Sequence, residues 1–187
     1  MAAAQADAAA LDAAKLEELS RAVDAKVVEW RRDIHQHPEL SNRETRTAKL
    51  VAEHLKKLGL EVRTGIAHTG VTGFLKGGLP GPTIALRADM DALPVTEKTD
   101  VPFKSIATGS YRGQTVGVMH ACGHDAHTSS LLGTAAILQS MTDEFAGKIK
   151  LIFQPGEEKL PGGASLMIEA GALKNPVPEK IFGQHQL

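Results

Sequence analysis

The sequence has few of the features that would set it apart from an ordinary globular domain. It holds one cysteine in 187 residues, so an internal disulfide framework is excluded. Its 21 basic and 22 acidic residues nearly cancel, which removes a general electrostatic case for binding nucleic acid or an anionic membrane. No apolar run approaches the roughly 20 residues that span a bilayer. The 42% of hydrophobic residues is enough for a sizeable core.

The first residues differ in composition from the rest of the chain. Residues 1–15 are rich in alanine and low in complexity, and residues 16–187 are expected to form one domain. Because the segment has neither a basic region nor an apolar core, it is not an intact signal peptide, and a cytoplasmic location is expected. The small residues at 4–6 resemble the end of a cleavage site, so a mature periplasmic or secreted form is the alternative.

Hydrophobic periodicity predicts two helices in the first third of the chain. Apolar residues at three- and four-residue spacing predict a helix from Leu16 to Ile34, which Pro38 ends. A capping box at residues 41–44 is expected to open a second helix, and Gly59 is placed to stop it.

Beyond these helices the period changes, and short strands alternate with helices. This alternation predicts a layered helix-sheet-helix α/β fold with at least a partly parallel sheet. The glycines and prolines at residues 77–82 predict a hairpin-like turn between the second and third strands. Few residues follow the last strand pattern, which indicates truncation. The expected strands are 60–66, 71–75, 83–88, 148–154 and 181–185, and the expected later helices are 127–141 and 163–173.

Three polar clusters are expected at strand ends, where open α/β sheets bind their ligands. Asp89 and Asp91 form the first cluster, and two residues apart on an extended segment they face the same side. Because like charges repel at this spacing, a cation or hydrogen-bond donors are expected nearby. A turn with solvated aspartates is the alternative.

The second cluster places three histidines, one cysteine and one aspartate within residues 120–127. Thiolate and imidazole groups are good ligands for zinc and similar divalent metals. Gly123 separates Cys122 from His124 and relaxes the backbone, so both side chains can converge on one ion. A lone cysteine is usually a small buried hydrophobe, but the density of ligand types here favours a metal site.

The third cluster is the adjacent pair Glu157 and Glu158, directly after the strand at 148–154. Adjacent glutamates usually mark an exposed charged face. At a strand end beside a cluster of metal-ligand types, they also suit a division of labour in which one binds metal and the other transfers protons.

Five stretches in order along the chain resemble the M20 metallopeptidase and amidohydrolase family, in its N-acyl-amino-acid amidohydrolase subgroup. This subgroup includes hippurate hydrolases and plant auxin-conjugate hydrolases. The run Cys-Gly-His-Asp-x-His at 122–127 is the most specific of the five. The matching stretches are residues 30–40, 86–94, 119–127, 153–158 and 183–185.

The resemblance implies a role for each of several residues. Two divalent metal ions are expected, manganese or zinc, with cobalt and nickel as further candidates, and Cys122 lies between them. Glu157 matches the general base that acts on a metal-bound water, and Asp91 matches the acidic residue that orients the site. The implied metal ligands are Cys122, His124, Glu158 and His185.

Four further polar residues have weaker assignments. Asp89 takes the position of a metal-binding histidine in distant members of the family, and His124 is expected to compensate for it. A supporting or structural role is expected for His120, Asp125 and His127.

The implied reaction is hydrolysis of the amide bond of a small N-acyl amino acid, as in carboxypeptidases and aminoacylases. Members of the family are considerably longer, and they add a lid domain, through which they often dimerise, and a C-terminal histidine ligand. The lid domain and the C-terminal part are absent from this sequence, which matches the N-terminal portion of the catalytic domain. A catalytically incompetent fragment and a metal-binding module are therefore the alternatives.

Overall fold

The computed structural model describes residues 13–186, in which helices cover both faces of one mixed sheet. The expected low-complexity segment at 1–15 falls largely outside this range and stays a prediction, as do the small residues at 4–6. The helices are α1 (Ala13–Gln36), α2 (Thr45–Lys57), α3 (His124–Ser140) and α4 (Gly163–Glu169), with a 3-10 turn at Thr142–Glu144. The strands are β1 (Glu61–Ile66), β2 (Gly70–Lys76), β3 (Leu79–Asp89), β4 (Thr108–Tyr111), β5 (Gln114–Gly117), β6 (Ala146–Gln154) and β7 (Lys180–Gly183).

The main sheet has the strand order β1-β2-β6-β3-β7. Strand β6 pairs antiparallel with β2 and parallel with β3, and β3 pairs parallel with β7. The prediction of a partly parallel sheet is therefore confirmed. The carboxyl ends of β6, β3 and β7 consequently lie at one edge of the sheet.

The predicted hairpin at residues 77–82 is wrong, because β6 lies between β2 and β3. The backbone nitrogen of Gly77 donates to Gly147 O at 2.9 Å, so this turn packs against the start of β6. A Cβ on Gly77 would lie 2.4 Å from Phe145 O. Residue 77 must therefore be glycine because two backbones approach closely there, and not because it forms a tight turn between paired strands.

Alternate residues of the central strands point into two apolar cores, one on each face of the sheet. On one face, Phe153 packs with Leu55 of α2 and Leu132 of α3. On the other face, Ile152 packs with Met167 of α4. Because successive strand residues point to opposite faces, one sheet serves both helical layers. This arrangement confirms the expected helix-sheet-helix fold.

The predicted capping box is also wrong, since α2 begins at Thr45 and the Ser41 hydroxyl donates to Asp91 instead. The Glu39 carboxylate caps the helix, accepting from the backbone nitrogens of Arg46 and Thr47 at 2.9 Å each. A carboxylate at this end satisfies free N–H groups and complements the helix dipole.

The other boundaries differ from the predictions by a few residues. Helix α3 begins at His124, three residues earlier than expected, and α4 ends at Glu169, before Leu173. Strand β7 ends at Gly183, so His185 lies beyond it. The β4–β5 hairpin was not predicted, because its strands have four residues each and are largely exposed. Within residues 13–186, no helix is both long and apolar enough to cross a membrane.

Two phenylalanines provide a matched test of this packing. We expect Phe153→Ala to lower the free energy of unfolding by about 3–5 kcal/mol, because it opens a cavity under both helices. Phe182→Ala, on a side chain that is 56% exposed, is expected to cost about 1 kcal/mol or less. Urea unfolding followed by circular dichroism measures both, and equal losses would contradict the assigned core.

Candidate metal centre

The ligand-type side chains of all three sequence clusters meet at the carboxyl edge of the sheet. One group with ligand atoms within 4.8 Å of one another contains Cys122, His124 and His185, and another contains His124, Glu157 and Glu158. A third such group contains Asp89, His124 and His127, so His124 belongs to all three. The four residues that the resemblance implies as metal ligands, and the implied base, therefore lie together around one imidazole.

His124 occupies the buried centre of the cluster. Its Nδ1 lies 3.3 Å from Asp91 Oδ1, while its Nε2 lies 3.6 Å from Asp89 Oδ2 and 3.8 Å from Glu158 Oε1. Among the described residues, neither ring nitrogen has a hydrogen-bond partner of normal geometry, although the side chain is fully buried. A proton on Nδ1, facing Asp91, leaves the Nε2 lone pair directed at the other ligand types, as in metal-binding histidines.

The surroundings of His124 are strongly negative. Burial lowers its pKa, but the nearby Asp91 carboxylate and the charges of Asp89 and Glu158 outweigh that effect, and the pKa is raised overall. Burial, followed by the neighbouring glutamates, raises the pKa of the Cys122 thiol to about 11. A cluster that disfavours further negative charge in this way fits a divalent cation, which would neutralise it.

Cys122 and His185 approach each other from different elements. The Cys122 Sγ lies 3.5 Å from His185 Nε2. Cys122 precedes the first turn of α3, and His185 follows β7. The glycine between Cys122 and His124 has φ +81°, a left-handed conformation that directs the two side chains to one place.

Asp91 holds the loop that carries the paired glutamates. Its carboxylate accepts from the backbone nitrogens of Glu157 at 3.0 Å and Glu158 at 2.9 Å, and from the Ser41 hydroxyl at 2.6 Å. Burial raises the pKa of Asp91, but the nearby His124 imidazole and the hydrogen bonds from Ser41 and the two amides lower it overall. Asp89 and Asp91 are both buried, so the alternative of a solvated turn is wrong.

Glu44 is a second buried carboxylate behind the same loop, and sequence reasoning assigned it only to a helix cap. It accepts from the backbone nitrogens of Asn42 at 2.7 Å and Gly156 at 2.8 Å, and from the Thr69 hydroxyl. Burial raises its pKa, and these bonds oppose the shift. Glu44 thereby fixes Gly156 directly before the glutamates.

A separate polar network lies around Asp125, one residue after His124. His35 Nδ1 lies 2.8 Å from Asp125 Oδ2, and His35 Nε2 lies 3.1 Å from Glu97 Oε1. Arg31 Nε also lies 2.8 Å from Asp125. His35 was part of a family-like stretch but had no predicted role, because its partners lie 62 and 90 residues away.

His120 and Asp89 complete the surroundings. His120 is buried without a hydrogen-bond partner among the described residues, and burial lowers its pKa to about 4. Asp89 lies 2.7 Å from Arg87 Nη1 and 2.7 Å from His127 Nδ1.

Comparison with known proteins identifies the family. Residues 85–186 match the model of peptidase family M20/M25/M40, which covers more than half of the chain. The chain belongs to this family.

The chain is similar to particular proteins of this family. The chain is 49% identical over 173 residues to a thermostable carboxypeptidase 1 from Saccharolobus solfataricus, a match covering 91% of this chain and 42% of that protein. It is 44% identical over 172 residues to an N-acyl-L-amino acid amidohydrolase from Geobacillus stearothermophilus, covering 90% and 44%. The crystal structure of a dinuclear metal-binding M20 peptidase from Bacillus subtilis superposes with a TM-score of 0.79 at 42% identity, covering 89% and 44%. The chain spans less than half the length of these relatives.

The His35 network predicts a pH-dependent contribution to stability. The hydrogen bond to Asp125 raises the pKa of His35 above 6.5, although burial opposes this. The stabilisation is thus fully present below the unfolded pKa and is lost as the pH rises through the folded one. In metal-free chain, we expect His35→Gln to remove part of the fall in unfolding free energy above about pH 6.5.

Urea unfolding at a series of pH values measures this change. The matched control is His37→Gln, which changes an exposed histidine two positions further along the chain. A wild-type curve that His35→Gln leaves unchanged would contradict the proposed coupling of His35 and Asp125.

Proposed function

We propose that this chain forms the metal-binding part of an M20 amidohydrolase that cleaves the amide bond of small N-acyl amino acids. The observation that carries the proposal is the buried Nε2 of His124, which has no hydrogen-bond partner within residues 13–186 and lies among a thiol, a second imidazole and two carboxylates. The relative named N-acyl-L-amino acid amidohydrolase supports the substrate class, and the one named carboxypeptidase supports cleavage of C–N bonds next to a free carboxylate.

In this proposal two divalent ions, manganese or zinc, bind at the cluster. The dinuclear relative from Bacillus subtilis supports the number of ions, and mixed thiol, imidazole and carboxylate ligands suit either metal. The ions would supply Lewis acidity that activates water and stabilises the oxyanion of the amide. The residues that would hold them are Cys122, His124, Glu158 and His185.

Glu157 is the proposed general base. Its backbone nitrogen is fixed by Asp91, whereas its side chain is exposed at the mouth of the cluster. The exposed Glu157 carboxylate, carried by a backbone that Asp91 holds, can take a proton from the attacking water at its Oε. It can then deliver that proton to the leaving amine nitrogen. Asp91 orients the site, because it holds both glutamate amides and faces His124 Nδ1.

The proposal also includes the kind of binding partner, while oligomeric state and cellular location stay predictions. The proposed partner is a small-molecule substrate, and a homodimer stays a prediction from the family resemblance. Two further statements stay predictions from the sequence. The first is that the protein does not bind nucleic acid. The second is a cytoplasmic location, with a periplasmic or secreted mature form as the alternative. A chain that binds metal without turnover stays the alternative prediction.

Metal content of the purified 187-residue chain tests the site directly. We expect about one or two zinc or manganese ions per chain, and a large loss in Cys122→Ser, because the thiol is one of the ligands. His37→Gln, which changes a histidine outside all three ligand groups, should retain full metal content. Elemental analysis after dialysis measures this, and equal metal in Cys122→Ser and wild type would refute the site.

Measurements of turnover distinguish the role of the general base from the role of the metal ligands. We expect Glu157→Gln to keep its metal and to lose at least about 100-fold in hydrolysis of an N-acyl amino acid, since the proton acceptor is gone. Glu169→Gln, which changes an exposed glutamate of α4, should hydrolyse like wild type. Full activity in Glu157→Gln would exclude the role, and metal binding without wild-type turnover would favour the alternative prediction.

A further inference from the structure

His127 makes two hydrogen bonds that leave neither of its ring nitrogens free. Its Nδ1 lies 2.7 Å from Asp89 Oδ1, and its Nε2 lies 2.9 Å from the backbone nitrogen of Gln186. Because a carboxylate accepts and a backbone N–H donates, Nδ1 carries the proton and Nε2 the lone pair. His127 is therefore held in one tautomer, unlike His124, whose Nε2 has no such partner among the described residues.

The Asp89 side of this contact is anchored in the centre of the sheet. Asp89 is fully buried at the end of β3, and Arg87 of the same strand lies 2.7 Å from its second oxygen. The Arg87 Nε in turn donates to Gln154 Oε1 at 2.9 Å, at the end of β6. A chain of polar contacts thus connects two central strands to His127.

The Gln186 side of the contact belongs to a weakly held segment. Strand β7 pairs with β3 over four residues, and residues 180–186 are all exposed. The hydrogen bond to His127 fixes the backbone directly after His185. A Cβ on Gly123 would lie 3.5 Å from Gln186 Cβ, so this segment lies against the first turn of α3. The rings of His127 and His185 are 5.0 Å apart.

We propose that His127 is a positioning residue, which holds His185 within reach of Cys122 and His124 through the backbone of Gln186. The role rests on the proposed metal site. The proposal assigns different roles to histidines of the same cluster. His124 and His185 face the ion, whereas His127, held by Asp89 at the end of β3, fixes the backbone of the exposed segment that carries His185. Direct ligation by His127 Nε2 would break its bond to Gln186.

A double-mutant cycle on Zn²⁺ affinity tests this inference in the 187-residue chain. We expect His185→Ala and His127→Ala each to weaken Zn²⁺ binding by about 10- to 100-fold. If His127 acts through His185, the double variant binds no more weakly than His185→Ala, because the second change removes an effect already lost. Losses that multiply, or an unchanged affinity in His127→Ala, would overturn the positioning role. Competition with a chromophoric chelator measures all four proteins.

A second pair of variants removes the same hydrogen bond from the exposed side, where loss of folding is not a concern. Gln186→Pro eliminates the N–H donor, and Gln186→Ala retains it. We expect Gln186→Pro to lose Zn²⁺ affinity as His127→Ala does, and to have little further effect in the His127→Ala background. A loss of the same size in Gln186→Ala would contradict the inference.

Amide exchange in the metal-free chain distinguishes failure of the inference from failure of the metal site. We expect the Gln186 amide to exchange at least about 10-fold more slowly in wild type than in His127→Ala, because its N–H is hydrogen-bonded. Equal exchange rates overturn the inference whatever the metal does. Zn²⁺ binding that is absent, or unaffected by His185→Ala, overturns the proposed metal site and, with it, the role of His127.

Discussion

The buried Asp91 carboxylate is the interaction on which the rest of the site depends. An ionised carboxylate away from water is costly unless donors satisfy its oxygens, and each Asp91 oxygen accepts from a backbone amide of the glutamate pair. Ser41 and His124 complete its surroundings. The electrostatic requirement of one residue thereby fixes the relative positions of the segments that follow α1, β3 and β6, and of the first turn of α3.

Those parts of the fold that depend on local sequence were predicted closely. Strand β6 was expected at 148–154 and begins two residues earlier, because a β-branched apolar run bounded by glycine and proline specifies a buried strand by itself. The placement of polar clusters at strand ends was equally informative. Parallel strands share one carboxyl edge, so Asp89, Glu157 and His185 could be expected to meet without knowledge of their contacts.

The parts that depend on distant partners could not be predicted from spacing. Glu44 has the sequence context of a helix cap, but its three donors come from the chain before α2, from Thr69 and from Gly156. The hairpin predicted at residues 77–82 was wrong for the same reason. Gly77 and its neighbours look like a hairpin in isolation, and only the packing of β6 between β2 and β3 reveals their close contact with another backbone. The roles of the site residues themselves still rest on the family resemblance.

The contacts that build the centre join residues far apart along the chain. Ser41 and Asp91 are 50 positions apart, Cys122 and His185 are 63 apart, and Asp91 and Glu157 are 66 apart. Closing such loops costs conformational entropy before any of these contacts stabilises the chain, so a topology of this kind has a high contact order. No short fragment of the sequence contains the complete set of proposed ligands. A metal ion that needed all of them would bind only after the central strands have paired, so its uptake would report, and by mass action reinforce, the completion of folding.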